Sequence, residues 1–337
     1  VVLVAAVLLA LAGAGIVFVL QGHDTGTTAG GTGGDRVNAP GSVDGGPSAT
    51  PGPSASAKAS AKPGGGTSRG GSSGEGGGQP PVYVAGGCAP HPSGCGFPDA
   101  TNTGVPAGVK LTPKSGDMTV STSGTVIQGI DLQGCIIIKA TNVTVKNSRV
   151  RCPGPWGIFS YEKYYSGGGA LIEDTEVDCL NNEGATGIAS YGLKALRVNV
   201  HGCENGFSID YDVTIQDSYI YGLYTGPTGH SDGVQGGGNN NQLIHNTIFN
   251  LSDGGTSAII TPTAGISNTT ISDNLLAGGG YTLYCPKFSS TNMVVNNNRF
   301  GRIFGPKGGS YGPWVYCNTP SVVKGNVWDD TLVPMAF

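Results

Sequence analysis

The sequence predicts an all-β chain whose main part is a single parallel β-helix, a solenoid in which short strands wind round and stack coil upon coil. Similar short apolar–polar phrases recur roughly every 19 to 29 residues from Thr125 onward, as at 143–150, 171–177, 213–220, 243–249 and 270–276. A repeat of that length cannot bury its apolar face alone and must stack on its neighbours. Within each repeat, runs rich in Val, Ile and Thr alternate apolar with polar residues, which is the strand period, and Gly, Asn, Asp and Ser punctuate them. After residue 100 a helical period is almost absent, and the Leu-x-x-Leu-x-Leu skeleton of leucine-rich repeats is missing.

The elements follow in order along the chain. Residues 1–20 carry no charge and have about the length of a bilayer-crossing helix, so an N-terminal apolar helix acting as a transmembrane anchor is expected. A secretory signal segment, usually with a shorter apolar stretch, is the competing reading. Residues 21–80 are mainly Gly, Ser, Thr, Ala and Pro with scattered charges. They hold too little apolar surface to offset the entropy of ordering and are expected to form a disordered linker. Residues 81–337 remain for the β-helix domain. The two leading segments imply an extracellular domain, either tethered to the cell membrane or secreted. A formal net charge of −4, a pI near 5.7 and the lack of a basic cluster argue against nucleic acid as a partner.

All eight cysteines lie after residue 80, and an even count in an exported chain reads as disulfides. Zinc competes poorly, because there is no Cys-x-x-Cys and only His91 lies near the first pair. Cys285 and Cys317 occupy matching places in successive repeats, and stacked coils about 4.8 Å apart bring such residues within bridging range. The same logic pairs Cys179 with Cys203 and Cys135 with Cys152, while Cys88 and Cys95 close a local loop.

The phrase Asn205-Gly206-Phe207-Ser208-Ile209 and the run 213–220 after it resemble the generic coil of the right-handed parallel β-helix, or pectate-lyase-like, superfamily. The resemblance spans roughly residues 100 to 330. It implies right-handed coils and, as one possibility among lyases, hydrolases, epimerases and adhesins, an activity on polysaccharides. The chain lacks the Asn-Thr-Asp, Gly-His-Gly and Arg-Ile-Lys series of polygalacturonases and the Asp-Pro-His of mannuronan epimerases.

Alternation sorts the faces. With Phe207 and Ile209 in the core, Ser208 and Asp210 point out. Asp232-Gly233-Val234-Gln235 aligns with 205–208, which turns Gln235 to solvent beside Ser208. Tyr161 and Tyr191 fall in the column of Asp210, and with Cys285 and Cys317 inside, Tyr284, Tyr316 and Trp314 are expected outside. An outward face with aromatics at both ends and polar residues between suits a sugar chain. The densest polar cluster is 229–238. There His230 and Asp232 lie two apart, so in extended chain they would share one side, with the carboxylate orienting the imidazole. Turn capping is the competing role of Asp232, because it aligns with Asn205. Asp210 and Asp212 form a second candidate pair, about 6 to 7 Å apart and near the lower limit for an inverting glycosidase. Solvated turn residues are the plainer reading. Asp210 and Asp232 are five positions out of phase and are not paired.

These residues are expected to make a carbohydrate-active enzyme, hydrolase or lyase, with His230, Asp232 and Asp210 as catalytic candidates. Gln235, Asp212, Tyr191, Tyr284, Lys287, Trp314 and Tyr316 are the substrate-binding candidates. The hydrolase needs no cofactor. In the lyase version His230 or Lys287 takes the proton, with Lys163 a further basic residue in a loop, and calcium bound by Asp210, Asp212 and Asp232 is a possible aid. No metal site is assigned. The rival class is a non-catalytic surface protein that binds glycans or another cell.

Overall fold

The computed structural model describes residues 87–336, apart from 162–167, 228, 253 and 263–264. The anchor expected at 1–20, the linker at 21–80 and the loop with Lys163 lie outside the described residues. Among those described, no helix is long and apolar enough to cross a membrane.

Strands alternate with sharp bends, and each full coil has three faces. The first face runs from Thr112–Ser115 through Arg149–Arg151, Tyr219–Ile220 and Leu275–Gly278 to Val327–Trp328. The second runs from Met118–Val120 through Trp156–Ser160, Asp232–Gly236 and Ser257–Ile260 to Gly312–Val315. These two faces share one seventeen-stranded sheet, because the long strands Glu176–Ser190 and Asn199–Ile209 run round the corner between them. The third face is a separate nine-stranded sheet, from Val126–Gln128 to Val322–Lys324. Strand pairing between successive coils is parallel on all three faces. The chain is thus mostly stacked parallel strands, as a β-helix-like solenoid requires.

Registry turns the repeat into columns. On the first face Val150, Val177, Val200, Ile220, Ile248, Leu276 and Phe300 stack inward. On the second, Ile158, Ile188, Phe207, Val234, Ile259 and Leu283 do so. On the third, Ile172, Ala195, Ile215, Leu243, Ile271 and Val295 complete the core. All are buried, and each large aliphatic contributes about 1.5–3 kcal/mol by leaving water.

The bend from the third face to the first needs a left-handed residue in every coil. Asn147, Asp174, Asp217, Asp273 and Asn297 supply it with φ between 47° and 58°, a conformation that Asn and Asp tolerate. Arg197 and His245 occupy the same position at φ 51° and 54°. Arg197 is gripped by Glu173 and Asp174, and His245 bonds Asp217 at 2.6 Å and stacks on Phe97. Just after this position, Asn246, Asn274, Asn298 and Asn326 point inward as a buried ladder. Each of the first three donates a side-chain N–H to the Oδ1 of the next; the Nδ2 of Asn274 thus bonds Asn298 Oδ1 and also donates to Leu243 O, both at 2.9 Å. A second ladder, Asp212, Asn240, Asn268 and Asn292, runs along the bend from the second face to the third, where it is exposed.

All four anticipated disulfides form: Cys88–Cys95, Cys135–Cys152, Cys179–Cys203 and Cys285–Cys317, with no free cysteine among the described residues. The last three staple consecutive coils. Four such bonds point to an oxidising, extracellular environment. Residues 87–104 form an outer strap along the first face. Ala89 N–H bonds Asp329 Oδ2 at 2.8 Å near the last coil, and Gly104 N–H bonds Arg197 O at 2.9 Å several coils away. Between these ends Cys88, Cys95 and Phe97 pack on Phe249, Leu275 and Ala277. The strap covers the outside of the first face over the middle and later coils, while the opening strand Thr112–Ser115 stays exposed.

The two ladders make opposite predictions for one substitution. At pH 8, Asn274→Asp buries a charge in place of an amide that donates twice, a loss of at least about 3 kcal/mol. For a domain of this size that lowers Tm by about 6–12 °C. Asn268→Asp keeps the turn conformation at an exposed site and changes stability by about 0.5 kcal/mol or less. Thermal unfolding of the two variants checks both; equal effects would mean that the interior ladder is not buried.

Candidate functional site

The corner between the first and second faces is where the coils cease to be alike. In the earlier coils it is tight, and glycine is required there by close stacking. A Cβ on Gly157 would stand 2.5 Å from Gly187 O, and one on Gly206 would stand 2.5 Å from Gly233 O. This explains the Asn-Gly of the coil phrase. In the later coils the corner opens into loops at 221–227 with 229–231, at 251–252 with 254–256, and at 301–311. They wall a cavity of about 450 Å³ whose lining includes His230, Ser252, Thr256, Tyr284, Phe304 and Tyr311.

Beside this cavity runs a buried polar column. Thr186, Asn205, Asp232 and Ser257 occupy one register position in four successive coils, and none is more than 7 % exposed. Asn205 Oδ1 accepts the N–H of Asp232 at 3.0 Å, and the Ser257 hydroxyl donates to Asp232 Oδ1. Burial pushes the Asp232 carboxyl up to about 7; Ser257 pulls it down, and the nearby charge of Glu204 adds to the rise. Asp232 is therefore a carboxyl held well above the usual carboxylate range, in a column whose other members are neutral. Asp232 and Ser257 closely follow the lining residues His230 and Thr256 in the chain, so the column adjoins the cavity without lining it. Tyr284, on the cavity lining, is raised by burial and then by the charge of Asp232.

Glu204 was not singled out from sequence. Register sets Asn205 beside Asp232, so Glu204 stands beside Ser231, between His230 and Asp232 in the next coil. Its Oε2 accepts the Gly184 N–H at 2.8 Å, and a Cβ on Gly229 would come 2.8 Å from the same oxygen. The glycine next to His230 is thus what lets that loop close over the carboxylate. The signal was present: an acid one place before the Asn-Gly phrase, aligned with the histidine cluster. Ser231 itself is fully buried, tied to Thr225 at 2.6 Å and Ser252 at 2.7 Å.

The other anticipated residues are scattered. His230 is exposed on the cavity and Asp232 is buried, and no hydrogen bond or ion pair joins them. The strand starts only at Asp232, so the shared side expected of extended chain does not arise. Asp210 and Asp212 are likewise not one face. The strand ends at Ile209, Asp210 accepts the Ser190 hydroxyl, and Asp212 turns at φ 59° to accept Asn240 Nδ2 at 2.8 Å. Gln235 stands on the outer second face between Ser208 and Ile260, outside the cavity lining. Tyr191 stacks with Tyr211, centroids 6.2 Å apart.

Lys287 and Tyr316 do come together, Nζ 5.5 Å from the ring centroid, with Phe288 on the same ammonium. They sit at the bend after the second face and do not line the cavity. Trp314 corrects the expected facing: it pairs with Leu283 and packs edge-on against Phe300 on the core side. Tyr316 takes a left-handed φ of 62°, which inserts one step between Val315 and Cys317 and breaks simple alternation. Among the described residues no three His, Cys, Asp or Glu gather as a metal site. Asp210, Asp212 and Asp232, each with its own partner, do not form a calcium cage.

The raised Asp232 carboxyl links stability to pH. Between about 3.8 and about 7 the folded chain keeps a proton that the unfolded chain has lost. Its contribution is therefore fully present at low pH and declines as pH rises to about 7, by at most about 1.4 kcal/mol per unit. Asp232→Asn, which copies Asn205 of the preceding coil, keeps an acceptor for Ser257 and removes the titration. Tm of the wild type relative to Asp232→Asn should fall between pH 5 and pH 8, with the variant the more stable at pH 8. Parallel curves would show that Asp232 is ionised throughout.

In comparisons with known proteins, no family model, no curated protein and no solved structure matches the chain.

Proposed function

We propose that this protein is an extracellular enzyme acting on polysaccharides, a glycoside hydrolase built on right-handed coils of the pectate-lyase-like kind. Right-handed connection is the strong preference for parallel strands, and the coil phrase around Asn205 supports the kinship. Export is supported by the four disulfides and by the anchor-like 1–20 and linker-like 21–80 stretches, which fit a domain either tethered at the membrane or released. The observation that carries the reading is the buried carboxyl of Asp232 in a column next to the cavity, where burial raises it to about 7. Asn, Ser or Thr serves the same place in neighbouring coils, so stacking alone does not call for a carboxyl. Perturbed carboxyls beside a cleft mark acid–base sites.

In this mechanism Asp232 gives its proton to the glycosidic oxygen as the bond breaks. Glu204, the second carboxylate, activates the attacking water or stabilises the oxocarbenium-like centre. His230 hydrogen-bonds sugar hydroxyls from the rim, and Tyr284, Tyr311 and Phe304 offer ring faces to the C–H surfaces of the sugars. The lyase version draws less support, because Lys287 is engaged with Phe288 and Tyr316 away from the cavity lining. The burial of Asp232 at 4 % exposure favours, as a second reading, a cavity that binds glycans without cleaving them.

The test is a panel of soluble polysaccharides incubated with the full chain, following new reducing ends and the ultraviolet absorbance of unsaturated products. Hydrolysis predicts reducing ends without that absorbance, a rate that declines above about pH 7 as Asp232 ionises, and a loss of kcat of about 10²–10⁴-fold in Asp232→Asn. His230→Ala should raise KM more than it lowers kcat. Binding without products, unchanged in Asp232→Asn, leaves the non-catalytic reading standing.

A further inference from the structure

The charge around the cavity is one-sided. Among the described residues its lining carries no Lys, Arg, Asp or Glu. The loop at 221–227 with 229–231 beside it rests on two carboxylates, Glu204 against Gly229 and Glu183 against Gly226. Two cations in the neighbouring coils, Arg302 and Lys287, are engaged elsewhere. Arg302 is held by both oxygens of Asp330 at 2.7 Å and lies over Trp328, and Lys287 lies over Phe288 and Tyr316. Lys307 is exposed on the 301–311 loop but is not part of the lining. What the cavity does present is aromatic: Tyr284, Phe304 and Tyr311, the last 70 % exposed, together with the hydroxyls of Ser252 and Thr256.

We infer that the glycan taken by this cavity is an uncharged chain of neutral pyranoses, and that polyuronates are turned away. The inference rests on reading the cavity as a polysaccharide site and adds the class of sugar. A uronate carboxylate in this cavity would leave water to face Glu204 and Glu183 without a lining cation to neutralise it, and like charges brought together out of water repel. A neutral pyranose meets no such opposition. Its apolar C–H face packs on the rings, and its hydroxyls find Ser, Thr and His partners.

Binding of the full chain to a neutral glucan, xylan or mannan and to polygalacturonate or alginate is measured by calorimetry at low and high salt. A neutral polymer is expected to bind with an affinity that salt leaves unchanged. The polyuronates are expected to bind at least about tenfold more weakly, and Glu204→Gln is expected to narrow that gap; its fold is checked by thermal unfolding. Tighter binding of a polyuronate, weakened by salt or lost in Lys307→Ala, overturns the inference while leaving a polysaccharide site in place. Failure to bind either class removes the polysaccharide reading and this inference together.

Discussion

Every feature of this domain depends on the backbone ladder between successive coils. Parallel pairing at one register makes residues some twenty positions apart in the chain lateral neighbours. A side chain is therefore judged by the column it joins more than by its sequence neighbours. Apolar columns bury themselves, as from Val150 to Phe300. The polar column from Asn246 to Asn326 is satisfied inside because each member bonds the next. The disulfides obey the same rule, joining positions that stacking has already brought to Cα separations of 4.7–5.0 Å in the three coil staples.

That rule explains what could be read in advance. The alignment of 205–208 with 232–235 is the observed register, residue for residue where pairs are defined, and the staples follow from phase alone. The separation of Asp210 from Asp232 also holds, because Ile209 pairs with Gly236. Legibility stops where a residue leaves the strand conformation. Tyr316 and Asp212 adopt positive φ, and counting by twos across either one assigns the wrong facing. Trp314 and the Asp210–Asp212 pair failed for that single reason. His230 and Asp232 failed for a related one: they straddle a loop-to-strand boundary that polarity patterns do not mark.

Glu204 shows a different limit. Nothing in its own neighbourhood distinguishes it, since an acid beside a strand is usually a solvated side chain. It becomes notable only when register sets it beside Ser231 and when Gly229 is seen to be the residue that lets the loop approach its carboxylate. Aligning coils for acids as well as for apolar residues would have raised it. The cavity was less accessible to any such alignment. It is assembled from three corner loops of different length, and only the columns they interrupt repeat.

The placement of the site follows from the same mechanics. A solenoid's faces are nearly flat, and its bends are occupied by ladders that must repeat to stay satisfied. The first face is covered over its middle and later coils by the strap at 87–104, and the bend from the third face to the first is closed by the asparagine ladder. The corner between the first and second faces is where a coil can lengthen without breaking a column, because the ladder hydrogen bonds resume at Asp232, Ser257 and Tyr281 whatever loop precedes them. Loops grown there enclose space without unstacking the core. A carboxyl in the adjoining column then inherits both dryness, which raises its affinity for a proton, and a rigid mount.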